Sequence, residues 1–135
     1  MAHAARMAEQ IIPGTVIALH GGLGSGKTCW VQGFAAALGI TGPVGSPTFT
    51  VANEYRTELF MLTHIDAYRL HGADEAIAIG LDEYIYEKNV TVIEWAERIS
   101  ALLPCHTVSI YFKVLDNGFR EICLQQADSG SGQTQ

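Results

Sequence analysis

The chain is poor in positive charge. It has 8 lysines and arginines against 14 aspartates and glutamates, for a formal net charge of −6. A protein whose main task is to grip nucleic acid unaided shows the opposite balance. A local basic patch, or a partner that does the gripping, stays open. Cysteine is scarce as well. Cys29, Cys105 and Cys123 are odd in number and show no CxxC spacing, which argues against a zinc site or a disulfide framework and fits reduced thiols in a cytoplasmic protein. No apolar run reaches the length of a membrane span, and the first residues lack the apolar core of a signal peptide. The expectation is a cytoplasmic protein with no membrane attachment. Charged residues make up only 16% of the chain and hydrophobic ones 48%, a globular composition. There is no internal repeat and no linker. The 135 residues therefore predict one domain over residues 1–127. The polar Ser/Gly/Gln-rich stretch 128–135 is expected to be a disordered tail.

Against that background one stretch stands out: Val16-Ile17-Ala18-Leu19-His20-Gly21-Gly22-Leu23-Gly24-Ser25-Gly26-Lys27-Thr28. An apolar strand runs into a glycine-rich loop and then into a helix. Gly21, Gly26, Lys27 and Thr28 match the phosphate-loop pattern Gly-x-x-x-x-Gly-Lys-Thr. Glycines allow positive φ and let bare backbone approach phosphate oxygens. Successive N–H groups then form an anion nest, to which the helix adds its N-terminal dipole. Gly22, Leu23, Gly24, Ser25, Gly26, Lys27, Thr28 and Cys29 are the candidate nucleotide-binding residues. Lys27 is the point charge for the β and γ phosphates, and the Thr28 hydroxyl is a candidate Mg²⁺ ligand. No Asn-Lys-x-Asp guanine-reading motif is present.

The rest of the chain reads as alternating elements. Ala4, Met7, Ala8 and Ile11 have helical spacing, which predicts a helix within 2–12. The strand of the phosphate loop is read as Thr15–Leu19. Val31, Phe34, Ala35 and Leu38 predict a helix over Lys27–Leu38, with Gly39 as its C-cap. Glycines and prolines make Ile40–Pro47 a loop. Strands are expected within Thr48–Tyr55, Leu59–Asp66 and Val90–Glu94. Asp74 is read as the cap of a short helix that Gly80 ends, with a further turn or two over Leu81–Tyr86. Ala96–Leu103 reads as helix. Asn117-Gly118 between Thr107–Leu115 and Phe119–Gln125 signals a hairpin. The fold class is α/β: a mostly parallel sheet of the P-loop NTPase type flanked by helices, with an antiparallel hairpin at its C-terminal end.

Ligands of open α/β sheets bind beyond the carboxyl ends of the strands. Gly21 leaves one such end, and Asp66 and Glu94 stand at two others. One acid can hold Mg²⁺ or its waters and the other can polarise an attacking water. Spacing leaves open which does which. The plainer reading has each acid capping a helix or pairing with an arginine. Thr48, after Ser46-Pro47, is a candidate γ-phosphate sensor or part of an ordinary turn. His64 shares a strand face with Asp66 and either orients that acid or is a structural histidine. His20, Trp30 and Trp95 read as packing residues. Arg56, Arg69, Arg98 and Arg120 read as surface charges, of which one is a candidate phosphate or partner contact.

Four motifs occur in order: Gly21-Gly-Leu-Gly-Ser-Gly-Lys-Thr28, Ser46-Pro-Thr-Phe49, His64-Ile-Asp-Ala-Tyr-Arg-Leu70 and Ile93-Glu-Trp-Ala-Glu97. Together they resemble the bacterial TsaE (YjeE) family, over about residues 4–125. The resemblance implies a small cytoplasmic ATPase of tRNA threonylcarbamoyladenosine synthesis, using ATP and Mg²⁺. It implies TsaD and TsaB as partners, tRNA contact through that complex, and hydrolysis that supports repeated turnover. It implies Thr28 and Glu94 as Mg²⁺ ligands, with Asp66 an essential acid near the metal. Ser46-Pro47-Thr48 resembles a switch-like loop, and Arg120 a position bordering the nucleotide. Family loops usually carry aspartate where Gly22 stands and threonine where Cys29 stands. Two other readings of the residues remain: a small-molecule kinase with Asp66 as base, and a nucleotide-dependent assembly module that does not hydrolyse.

Overall fold

The computed structural model describes residues 2–22, 24–42, 44, 52–85 and 89–126. Helix α1 is Ala2–Gln10, strand β1 Val16–His20 and helix α2 Lys27–Ala37. Strands β2 (Ala52–Arg56) and β3 (Met61–Asp66) follow, then short helices α3 (Ala73–Ala78) and α4 (Leu81–Ile85). Strand β4 is Val90–Glu94, a 3₁₀ helix covers Ala96–Leu102, and β5 (Val108–Val114) and β6 (Arg120–Gln126) complete the order. The six strands form one sheet in the order β2-β3-β4-β1-β5-β6. The pairings β3–β4, β4–β1 and β1–β5 are parallel. The mostly parallel α/β sheet is the expected one, and so is the β5–β6 antiparallel hairpin. A second antiparallel pair, β2–β3, closes the opposite edge.

Two apolar layers sandwich this sheet. Ile17, Leu19, Leu62, Val92 and Ile110 face α1 and α2, against Ala4, Trp30, Val31, Phe34 and Ala35. Val16, Ala18, Ile65 and Ile93 face α3, α4 and the 3₁₀ helix, against Ala76, Leu81, Ile85 and Ile99. Burial on both faces explains why β1 and β4 read as continuous apolar runs instead of alternating ones. All five residues of β4 are buried. Trp30 stacks on Phe34 with ring centroids 5.0 Å apart, and its Nε1–H donates to His3 Nδ1 at 3.0 Å, which ties α1 to α2.

Helix α2 ends as its sequence predicts. Gly39 has φ +90°, and the Ile40 and Gly39 amides donate to the carbonyls of Ala35 and Ala36, each at 3.0 Å. This is the paired hydrogen-bond pattern that a left-handed glycine permits. The β5–β6 turn uses the same residue type. Gly118 has φ +85°, its amide donates to Leu115 O, and the Leu115 amide donates to Phe119 O. The link is thus a three-residue loop with a bulge at Gly118. Asp74 is not a cap. Helix α3 starts two residues earlier than that cap would place it, at Ala73 after Gly72, with no side-chain cap. Asp74 lies in the first turn, where its charge favours the helix dipole instead. The 3₁₀ helix is kinked at Ile99, so the expected Ala96–Leu103 helix is present but tighter and irregular. Leu23, Ser46-Pro47-Thr48, the first part of the Thr48–Tyr55 strand, Tyr86 and the 128–135 tail lie outside the described residues.

Candidate active site

Strand β1 runs directly into the glycine loop. Gly21 has φ +154°, and a Cβ there would stand 2.7 Å from Ser25 Oγ and 2.9 Å from the Phe112 carbonyl oxygen. The backbone oxygen cannot swing aside, so the position requires glycine. Gly24 and Gly26 have φ +75° and +105°, the left-handed region that glycine enters freely. Gly26 is also the N-cap of α2, and no side chain caps it. Ser25 Oγ is buried without a hydrogen-bond partner. A concave glycine turn, an uncapped helix N-terminus and an orphaned hydroxyl are the features that an incoming phosphate would satisfy. Cys29 is exposed and lies at the rim of the same crevice.

Lys27 is buried. Its Nζ donates to the Gly21 carbonyl at 2.6 Å and sits 3.6 Å from the centroid of the Trp95 ring. Loss of water lowers its pKa from the ordinary lysine value, and the carboxylates of Glu94, Glu97 and Asp66 act in the opposite direction. The ammonium is therefore held among acids at the mouth of the loop, with little solvent around it.

The two strand-end acids come together. Asp66 and Glu94 are register partners across the parallel β3–β4 pair, so their side chains leave the same face of the sheet. Glu94 is buried. Thr28 Oγ1 stands 3.3 Å from Glu94 Oε1 and 3.5 Å from Oε2. Asp66 is half-buried, and its Oδ1 accepts the Tyr68 amide at 3.0 Å. That bond closes the turn after β3, well before the next helix begins at Ala73, so it is neither the helix cap nor the arginine pair of the plainer reading. The acid still lines the crevice with Glu94, Lys27 and Thr28, in a volume of about 380 Å³. The hydroxyl and carboxylate oxygens of Thr28 and Glu94 are the hard donors that Mg²⁺ takes when it keeps water and phosphate as its other ligands. Among the described residues no group of three or more His, Cys, Asp and Glu could cage a metal.

Of the two readings of His64, the one that ties it to Asp66 does not hold. Fully buried, His64 places Nε2 2.7 Å from Glu94 Oε2. Trp95 packs against the core layer on the 3₁₀-helix side, as read, but only in part. It is half-buried, lines the crevice and has φ +59°, the left-handed value among non-glycine described residues. Tyr68 packs on it at 4.9 Å between centroids, and the Arg98 guanidinium lies 5.2 Å from the Tyr68 ring centre. Trp95, one residue after Glu94, and Tyr68, two after Asp66, line the same rim as the acids, and position just past a strand-end acid is the sequence signal that points to them. His20 packs as expected, stacked on Tyr111 at 4.6 Å. Arg120 opens β6 opposite Val114, beyond the end of β1; only its backbone is described. A larger hollow of about 560 Å³ lies between the end of α2 and the β2–β3 turn. It is lined by neither the acids nor the loop.

Residues 1–122 match the family model described as threonylcarbamoyl adenosine biosynthesis protein TsaE. The chain belongs to the TsaE family. Its curated relatives include the tRNA threonylcarbamoyladenosine biosynthesis protein TsaE of Treponema pallidum, 46% identical over 111 residues, covering 82% of either chain. The Bacillus subtilis TsaE protein is 44% identical over 110 residues, covering 82% of this chain and 68% of its own. The crystal structure of Bacillus subtilis YdiB superposes with a TM-score of 0.80 at 37% identity, covering 94% of this chain and 78% of that one. Family membership places this TsaE chain in tRNA threonylcarbamoyladenosine biosynthesis. Among the described residues no helix is long and apolar enough to cross a membrane.

Proposed function

We infer that this TsaE chain is a Mg²⁺-dependent ATPase that supports repeated turnover of a TsaD–TsaB complex in tRNA modification, with tRNA reached through that complex. The observation that carries the reading is the convergence of Lys27, Thr28, Asp66 and Glu94 at the carboxyl ends of β1, β3 and β4. In this reading the amides of residues 22–29 cradle the phosphates. Lys27 leaves the Gly21 carbonyl to meet the β and γ phosphates. Thr28 and Glu94 hold Mg²⁺, which when bound neutralises charge on the phosphate oxygens. Asp66 keeps one oxygen on the Tyr68 amide and turns the other toward the metal's waters or the attacking water. Ser25 Oγ donates to a phosphate oxygen and so gains the partner it lacks. Thr48 senses the γ phosphate from its loop, and Arg120 borders the nucleotide. The acidic charge balance fits a protein that leaves the gripping of tRNA to its partners.

The test is reconstitution of the modification with TsaD, TsaB, tRNA and ATP, with and without this chain. The expected result is multiple turnovers and stimulated ATP hydrolysis only when the chain is present. If the complete mixture never raises hydrolysis above background, a nucleotide-dependent assembly role replaces the ATPase reading. If γ-phosphate passes to a small acceptor without the partners, a kinase replaces it.

A further inference from the structure

His64 spends its hydrogen bonding in an unusual way. It stands on β3, two residues before Asp66 and opposite Val92 of β4. Its side chain is completely buried, and that of Glu94 is 4% exposed. Nε2 and Glu94 Oε2 are 2.7 Å apart. A carboxylate oxygen only accepts, so the proton of this bond belongs to Nε2. The other ring nitrogen, Nδ1, is buried with no partner. A histidine kept for structure satisfies both nitrogens, because a buried polar atom without a partner destabilises the fold. This one leaves Nδ1 bare and directs its single donor at an acid of the crevice. The other Glu94 oxygen, Oε1, is the nearer to Thr28 Oγ1, at 3.3 Å against 3.5 Å for Oε2.

We propose that His64 is a positioning residue for Glu94: its Nε2–H fixes one carboxylate oxygen and thereby aims the other at Thr28 and the crevice. The strand supplies only the Cα of Glu94, and three side-chain torsions remain to be set. Along β3 the next side chain on the His64 face is that of Asp66, and along β4 the next on the Glu94 face is that of Val92. A donor from the neighbouring strand therefore decides the rotamer. Donors that orient a ligating or catalytic carboxylate typically change activity or metal affinity 10–100-fold when removed. The proposal rests on Glu94 working in hydrolysis, as inferred above.

Three substitutions separate positioning from simple packing. His64→Gln places an amide N–H where Nε2 stands. His64→Asn carries its N–H too close to the backbone to reach Oε2. His64→Leu carries none. In the reconstituted system, Asn and Leu are expected to lose roughly 10–100-fold in turnover and to need more Mg²⁺ for half-maximal rate, with ATP affinity nearly unchanged and Gln recovering most of the loss. In a Glu94→Gln background, His64→Leu is expected to add no further loss. Equal activity of Leu and wild type overturns the proposal, as does a loss that follows melting temperature and is the same in Gln and Leu. Nitrogen NMR of the imidazole in the nucleotide-free protein gives an independent readout. It is expected to show a protonated Nε2 and a bare Nδ1, and the reverse tautomer overturns the proposal. If wild type itself shows no stimulated hydrolysis, the ATPase reading fails, while the NMR result still decides whether His64 holds Glu94.

Discussion

The ammonium of Lys27 rests 3.6 Å from the centre of the Trp95 ring, with its hydrogen bond given to the Gly21 carbonyl. A partly desolvated cation–π contact contributes about 0.5–2 kcal/mol. In the function proposed above, phosphate draws the lysine away from both partners, and the Trp95 ring then changes surroundings when nucleotide binds. Trp30 lies in the core and does not. ATP titration of wild type is expected to change tryptophan emission. Trp95→Phe is expected to abolish that change while leaving Trp30 emission intact. A full signal in Trp95→Phe would show that the ring does not sense the site.

Lys27→Met is expected to weaken ATP binding at least roughly tenfold, measured by calorimetry. Stability is expected to move the other way. The folded state lowers the Lys27 pKa below its ordinary 10.5, so the charge destabilises the fold at all pH values below the lowered value. That penalty disappears as pH rises past 10.5, where both states are neutral. The melting-temperature advantage of Lys27→Met over wild type should therefore be largest near neutral pH and shrink in alkali. An advantage that grows with pH would contradict the sign.

Glu94→Gln keeps the shape of the side chain and removes its charge. Nucleotide affinity without metal is expected to stay within a few-fold, and stimulated hydrolysis to fall by about 10²-fold or more. Wild-type hydrolysis in this variant would remove Glu94 from the chemistry.

Gly21→Ala tests the loop's backbone. The new methyl meets the Phe112 carbonyl oxygen at 2.9 Å, and backbone must move. Denaturant unfolding is expected to show a loss of about 1–3 kcal/mol, with ATP binding impaired as well. At Gly22 a methyl would meet no atom within 4 Å. Gly22→Ala is expected to be nearly neutral for stability, since its φ lies outside the left-handed region.

Phe34→Ala empties the space beneath Trp30, between α2 and the sheet. A loss of about 3–5 kcal/mol is expected in the same unfolding assay, which would put much of a typical domain's stability at risk.

The strand–loop–helix unit and the acids at the ends of β3 and β4 can be read directly, because periodicity and end-of-strand position are local properties. Val31, Phe34 and Ala35 fall on the buried face that their spacing predicts. His64 is harder. Alternation along one strand gives its face, but its partner comes from the next strand, and register between strands is not a local property. That is why Asp66, its sequence neighbour, looks like the partner and Glu94 is. Trp95 is legible only in part, for a similar cause. Apolar character predicts burial, whereas a left-handed backbone at the strand's end turns the ring toward Lys27. Such a conformation costs a non-glycine residue roughly 1–2 kcal/mol, and nothing in the sequence signals it.

Asp66 and Glu94 are opposite each other in the β3–β4 ladder, and the Ala67 amide donates to the Glu94 carbonyl at 3.0 Å just beyond them. The gap between the two acids is consequently a property of hydrogen-bonded sheet at the middle of the molecule. Widening it would mean slipping a whole strand and turning Leu62, His64 and Asp66 to the wrong side. The loops around this pair can therefore change in length and sequence without resetting the spacing of the two acids to which the proposed hydrolysis is assigned.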